Sequence, residues 1–330
     1  VRALLYGQRE FSALSGAPST VLWLPDVFGY SACLPQLLAQ AGVRSFFTAK
    51  IIWSAVSRFP HTTFVWRGPD GSTVTTHLCT AGYNGEVKLG NLRSAARANR
   101  QSALFDEVLL PTGYGDGGGG LTEEMCERAK RVRDLSGIPT ARWNTSEEFF
   151  AELVKARDEL PVYEGELYLE YHRGTYTSQA RLKQRYRTAL AWLAAHEALL
   201  AAEGGSPLTS REWDRVLMTQ FHDALPGSSI ARVYEELEAQ LDAVADEHRT
   251  AVLERLSARG EPVVYNPIAA PRLLNVPESN EDDVSRTVSV PGHGIYTLSE
   301  LSPIGTPDVT VSEHDGWILA NGIVEVEVGR

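Results

Sequence analysis

The stretch "VLWLPDVFGYS", Val21 to Ser31, decides how this chain is read. Four apolar residues run into Pro25-Asp26, and an aromatic, a glycine and a tyrosine follow. An apolar run of this length reads as a short buried strand. A lone carboxylate at the end of such a strand is costly to desolvate, so hydrogen bonds, a cation or a metal must hold it ionised. The plain alternative is an Asp26 that caps the helix after Gly29-Tyr30, and pattern alone favours that cap.

Working outward, strands and helices alternate up to about residue 160. "LPQLLAQAG" is a helix closed by Gly42, and "VRSFFTAK" returns as a strand. "TFVWRGPDGSTVTTHL" reads as two alternating strands around the turn Pro69-Asp70-Gly71. "EVLLPTGYGDGGGGLTEEM" reads as a strand, a glycine loop and a helix start. Such alternation favours parallel βα units, whose ligands sit at the carboxyl ends of the strands. Asp26 and Asp116 both fall at such ends.

From about 175 to 260 the chain is helical. Leu182, Tyr186, Leu190, Leu193 and Leu200 share one face, and Gly204-Gly205 close the segment. Thr209 and Glu212 form a capping box, as do Thr145 and Glu148. A third helix carries Ile230, Val233, Leu237, Leu241, Val244 and Val252. Beyond Glu261 the pattern is period-two and rich in valine, which reads as antiparallel β, interrupted by the acidic loop "NVPESNEDDVSR".

The 330 residues are 43% hydrophobic and carry a formal net charge of −11, which argues against nucleic acid or an anionic membrane as the main partner. Cys33, Cys79 and Cys126 build no disulfide framework and no CxxC pair, so a reducing cytoplasm is the default. No apolar run approaches the roughly 18 residues of a membrane span. The opening "VRALLYGQREF" reads as mid-helix and "VEVEVGR" as mid-strand, so both ends read as cuts within a longer protein.

Two further stretches carry chemistry. In "YGDGGGG", Tyr114 to Gly120, no lysine follows the glycines, which discounts a phosphate loop. An acid in a glycine loop is freely aimed into a cleft, as a proton donor requires. In "QFHDALPGSSI", His222 shares a helix face with Met218 and Leu225, so a core histidine is the plain reading. Asp223 beside it and the break at Pro226-Gly227 point instead to metal or sugar-hydroxyl contact. Residues alone lead to polar, metal-assisted hydrolysis.

Taken together, "LWLPDVFGYSACLPQLLAQAG", "YGDGGGGLTEEM", "ELYLEYHRGTYTSQARLKQRYR" and "FHDALPGSSIARVYEE" resemble the α-mannosidases of glycoside hydrolase family 38, in the style of its bacterial and cytosolic branch. "YNPIAAPR" resembles the family's entry into its β-domains, with Ala269-Ala270 departing from it. The resemblance implies that Asp26 is both nucleophile and zinc ligand and that Phe28 packs on the sugar. It makes His222 a second zinc ligand, Asp223 and Tyr114 substrate-binding residues, and Asp116 the general acid/base. A retaining glycosidase of this kind holds its two carboxyl groups roughly 5–5.5 Å apart.

The implied cofactor is Zn2+ and the implied partner a mannose-containing oligosaccharide, with a homo-oligomer also admitted. The family's remaining two zinc ligands come from an H-x-D motif that this chain lacks, so they are expected upstream of Val1. Weak zinc binding and little activity are therefore expected of this polypeptide alone. The expected architecture is multidomain α/β. Residues 1–160 would be the C-terminal part of an incomplete parallel β/α catalytic domain. Residues 161–260 would be a three-helix bundle, the mannosidase middle domain, and 261–330 the start of a β-sandwich. Two rival readings are a zinc-dependent carbohydrate deacetylase and a non-catalytic carbohydrate-binding remnant.

Overall fold

Phe46 and Phe47 are neighbours in sequence and both fully buried, so the strand that carries them is covered on its two faces. In the computed structural model, which describes residues 1–54, 56–116, 118–277, 285–304, 310–313, 316–320 and 325–329, that strand is near the middle of a mixed sheet. The chain forms two compact units, one of Val1–Lys183 with Leu217–Tyr234, the other of Gln184–Val216 with Glu235–Arg330.

The first unit opens with α1 (Arg2–Ser15), β1 (Val21–Trp23), β2 (Gly29–Tyr30), α2 (Leu34–Gln40) and β3 (Ser45–Thr48). The hairpin β4 (Thr63–Arg67) and β5 (Thr73–Leu78) follows, then helices α3 (Leu89–Ala98), α4 (Glu123–Val132) and α5 (Ser146–Lys155). Short strands β6 (Val162–Glu164) and β7 (Leu167–Tyr168) complete its sheets. The main sheet has the order β1-β3-β5-β4-β6, parallel except for the antiparallel β4–β5 pair.

Phe46, Phe64, Trp66 and Leu78 pack with Leu38 of α2 on one face of this sheet. Phe47, Val65 and Ala49 pack with Phe149, Phe150 and Leu153 of α5 on the other. Each fully buried phenylalanine contributes about 1.5–3 kcal/mol. The result is a three-layer α/β arrangement with a parallel sheet, as the alternation predicts.

Four local expectations change. The strands of the hairpin do not alternate between buried and exposed, because helices cover both faces. Its turn is the expected one: Ser72 N–H donates to Asp70 Oδ1 at 3.0 Å and Gly71 has a φ of 84°. β1 is an edge strand, and Trp23 is exposed rather than buried. The segment Val108–Leu110 is no strand, because the Leu109 N–H donates to the His77 ring at 3.3 Å and only an isolated bridge, Gly85 to Thr112, forms nearby.

The second unit contains most of α6 (Ala180–Ala202), α7 (Ser210–Leu217) and α8 (Ala231–Ser257). Glu212 reaches back to the Thr209 N–H at 2.8 Å, the expected cap of α7. Both halves of the Thr145–Glu148 capping box form on α5. Trp213 donates to Glu197, Arg215 pairs with Glu247, and the His196 and His248 rings meet at 2.8 Å, so the three helices pack on one another. Ile230 lies outside α8 and is exposed.

The described strand pairs of the β region are antiparallel: β8 (Val263–Asn266) pairs with β11 (Gly294–Thr297), and β9 (Arg272–Pro277) with β10 (Ser285–Val290). β12 (Thr310–Glu313), β13 (Gly316–Ala320) and β14 (Glu325–Gly329) form a third sheet. The acidic stretch read as a loop has its flanks in β9 and β10, and its centre, 278–284, lies outside the described residues.

His77 gives this fold a pH dependence. Its ring is fully buried, and because Nε2 accepts from Leu109 N–H, Nδ1 carries the proton and donates to Thr63 Oγ1 at 3.0 Å. Burial pulls its pKa from 6.5 down to about 3. Between those values the unfolded chain binds a proton that the folded chain excludes, so stability is full above pH 6.5 and falls as pH drops. The contribution is up to about 1.4 kcal/mol per pH unit. Urea unfolding of His77→Asn between pH 6.5 and pH 4 should therefore show a shallower pH slope than wild type by that amount, and equal slopes would refute the assignment.

Candidate active site

The parallel register of β1 and β3 sets the site. Trp23 lies opposite Phe47, and three residues on along each chain come Asp26 and Lys50. The intervening backbone stays paired: Leu24 N–H donates to Phe47 O at 3.0 Å, and Ala49 N–H to Pro25 O at 3.2 Å. Lys50 Nζ lies 2.8 Å from Asp26 Oδ1, with the two side chains 9% and 19% exposed. A near-buried lysine is what the strand-end carboxylate has beside it. Asp26 does not cap α2, whose cap position is Cys33 without a side-chain bond.

Two more groups face the same carboxylate. Tyr83, just past the end of β5, donates its hydroxyl to Asp26 Oδ1 at 2.9 Å. Burial and the neighbouring Asp26, Asp116 and Asp223 push its pKa well above the usual phenol value, so it stays a proton donor. On the other side His222 Nε2 is 3.2 Å from Asp26 Oδ2 and 3.5 Å from Asp223 Oδ2. Asp223 is held in turn by the Ser228 hydroxyl at 2.8 Å.

His222 is not on a helix. α7 stops at Leu217, a single 3₁₀ turn covers Met218–Gln220, and turns follow. Pro226 has no N–H to continue a helix and disfavours helical backbone just before it. The imidazole is 27% exposed and faces a carboxylate, so the core-histidine reading fails with the shared face.

Aromatic rings wall the site. Phe28 packs tilted, at 37° and 4.7 Å, on the His172 ring and meets His222 edge-on at 6.4 Å. Lys50 Nζ sits 3.6 Å from the centre of the Trp53 ring, a close cation–π contact. His172 has a buried Nδ1 without a hydrogen-bond partner, and burial together with Lys50 holds its pKa below the ordinary imidazole value, against the pull of Asp26.

Asp116 is exposed on the glycine loop, past a bridge and not a strand end, and accepts from Asn84 Nδ2 at 3.3 Å. Asn84 directly follows Tyr83, whose hydroxyl is on Asp26. Tyr114 is exposed, donates its N–H to Gly120 O at 3.0 Å, and makes no described contact with the Asp26 group. Gly117 lies outside the described residues.

The sequence reading missed Lys50, Tyr83 and His172. Lys50 closes the stretch read as the strand "VRSFFTAK", and only the register with β1 shows what it faces. His172 was inside a quoted motif. Tyr83 carried no pattern signal.

The donor chemistry of Asp26 Oδ2 and His222 Nε2, one carboxylate oxygen and one imidazole nitrogen, suits zinc, and 3.2 Å is the separation of two neighbouring ligand atoms around one ion. Among the described residues no group of three or more His, Cys, Asp or Glu gathers to hold a metal. The pair fits the ion as part of a ligand set.

Residues 1–166 match the family model "Glycosyl hydrolases family 38 N-terminal domain", and residues 170–258 match "Alpha mannosidase middle domain". The chain belongs to glycoside hydrolase family 38. It is 44% identical over 244 residues to alpha-mannosidase G of Dictyostelium discoideum, covering 72% of this chain and 22% of that protein. It is 33% identical to human alpha-mannosidase 2C1 over 359 residues, covering 99% of this chain and 34% of the relative. The chain thus spans between about a fifth and about a third of the length of these curated relatives. A solved alpha-mannosidase from Enterococcus faecalis V583 shares the fold at a TM-score of 0.61 and 18% identity, over 83% of this chain and 35% of that one.

Replacing Lys50 with methionine should lower unfolding free energy by about 3 kcal/mol, since it leaves a largely buried carboxylate without its cation. Tyr83→Phe should cost about 1–2 kcal/mol for one lost hydrogen bond to a charged group. Urea unfolding at pH 7 measures both, and a Lys50→Met protein as stable as wild type would show that the pair does not stabilise the fold.

Proposed function

We propose that this chain is part of an α-mannosidase that releases terminal α-linked mannose from glycans by a retaining mechanism. The observation that carries the reading is the Asp26 carboxylate bound by Lys50, Tyr83 and His222 at the carboxyl end of a parallel strand. Membership of family 38 and α-mannosidase relatives at 33–44% identity support the same substrate class.

In this reading Asp116 gives its proton to the glycosidic oxygen while a carboxylate oxygen of Asp26 attacks the anomeric carbon. The bond to the leaving sugar breaks as the mannosyl ester on Asp26 forms. Asp116, now ionised, takes a proton from water, the water oxygen attacks the same carbon, and Asp26 leaves as carboxylate. Lys50 and Tyr83 hold Asp26 in its aim, Phe28 packs against the sugar face, and Asp223 and Tyr114 bind hydroxyls. Asp26 and His222 would hold zinc together with further ligands. When bound, the ion would supply positive charge that orients the sugar hydroxyls.

The domain division at 160 and 260 and a cytoplasmic location belong to the same proposal. Unpaired Cys33, Cys79 and Cys126 agree with that location, and among the described residues no helix is long and apolar enough to cross a membrane.

Aryl α-mannoside hydrolysis with added zinc, run on this chain and on an N-terminally extended form, tests the function. Activity is expected to be low in the first and high in the second. Asp26→Asn should abolish it. Asp116→Asn should lower it about 10²–10⁴-fold on a poor leaving group, and far less on 2,4-dinitrophenyl α-mannoside, which needs no protonation. Acetate release from an acetylated sugar would favour the deacetylase, and mannose binding without turnover in either form the non-catalytic remnant.

A further inference from the structure

Lys183 lies in the first turn of α6, where the positive end of the helix dipole disfavours a cation. Among the described residues no carboxylate pairs with it. Its ammonium donates to Leu225 O at 2.8 Å and also to Ser178 O. The two carbonyls belong to different turns. Ser178 ends the segment that carries His172, and its own N–H and hydroxyl return to Gly174 O at 3.0 and 2.8 Å. Leu225 sits three residues after His222, in the turn that carries the His222-Asp223 pair.

The two turns also touch directly. Gly227 has a φ of 94°, and a Cβ built there would lie 2.8 Å from Ser178 Cβ and 3.1 Å from its carbonyl. Only glycine lets the backbones come that close. Gln179, between Ser178 and α6, adopts a φ of 53°, an uncommon conformation for a non-glycine residue. Burial lowers the Lys183 pKa, in keeping with an ammonium enclosed by backbone.

We propose that Lys183 is a positioning residue: its ammonium clasps the 174–178 turn to the 221–227 turn and thereby fixes the His222 imidazole against Asp26. This rests on the reading of His222 and Asp223 as site residues, yet the clasp itself is independent of any bound ion. Methionine in place of Lys183 keeps the aliphatic stem and removes both bonds. Arginine restores a cation of similar reach.

His222 reports its own position, because it lies 4.3 Å from the Phe221 ring and 6.4 Å from the Phe28 ring, whose ring currents shift its signals. In Lys183→Met, with helix content by circular dichroism unchanged, the His222 ring resonance should move while that of buried His77 stays. Co2+ affinity, read from its absorption bands, should fall tenfold to hundredfold, the usual effect of losing a group that orients a metal ligand. Lys183→Arg should recover both signals.

A folded Lys183→Met protein with an unmoved His222 resonance overturns the proposal. So does one whose resonance moves while Co2+ affinity stays at the wild-type level, since the lysine would then be structural only. If wild type itself binds no Co2+, Asp26 and His222 are too few to hold the ion by themselves, and the His222 resonance alone decides the clasp. A variant too unstable to fold is replaced by Gly227→Ala, which forces the same two turns apart and must move the same resonance.

Discussion

The β1–β3 register delivers a lysine to the Asp26 carboxylate. Two parallel strands paired Trp23 to Phe47 bring positions 26 and 50 together without any further device. Everything else at the site is arranged around that carboxylate: a phenol on the same oxygen, an imidazole at the other. The cation is itself nearly buried, and it is enclosed by the faces of Trp53 and Tyr83. An exposed ion pair would be worth little, but in this enclosure neither partner can be removed without stranding the other.

That arrangement has a chemical consequence. A carboxylate whose one oxygen is committed to Lys50 and Tyr83 presents its second oxygen toward His222. In the proposed mechanism the nucleophile must be fixed in direction, and the three contacts supply that condition before a substrate arrives. Asp116 is placed in the opposite manner. It is solvent-exposed on a glycine-rich loop and touches the protein through one amide, which suits a group that must exchange protons with bulk water. Two carboxylates in contrasting environments are what a division into nucleophile and acid/base requires.

Much of this was legible in the sequence, and the failures have physical causes. The run Val21 to Leu24 announces a strand and Pro25-Asp26 the carboxylate just past it, because apolar periodicity and turn chemistry are local. The parallel α/β class, both capping boxes and the Asp70 turn follow from local rules in the same way. Lys50 could not be read, since its meaning lies in a register between strands more than twenty residues apart. Val108–Leu110 looked like a strand because its composition is apolar, but its N–H is spent on a histidine ring from β5. The helix expected to continue through His222 ended early because the pattern counted Met218 and Leu225 as core, whereas Pro226 decides the backbone ahead of it.

The same turn shows where specificity of placement comes from. Strands fix Asp26, Lys50 and Tyr83 by repeating geometry, and such positions tolerate little error because a register slip inverts every side chain. His222 has no such scaffold. It sits in irregular backbone whose shape is determined by Ser228 on Asp223, by Gly227 against Ser178 and by the ammonium of Lys183. A site that joins a sheet end to a turn therefore depends on two kinds of constraint, one cooperative and one assembled from single contacts. The second is the softer of the two, so changes to the turn should alter the His222 side of the site before they disturb the Asp26–Lys50 pair.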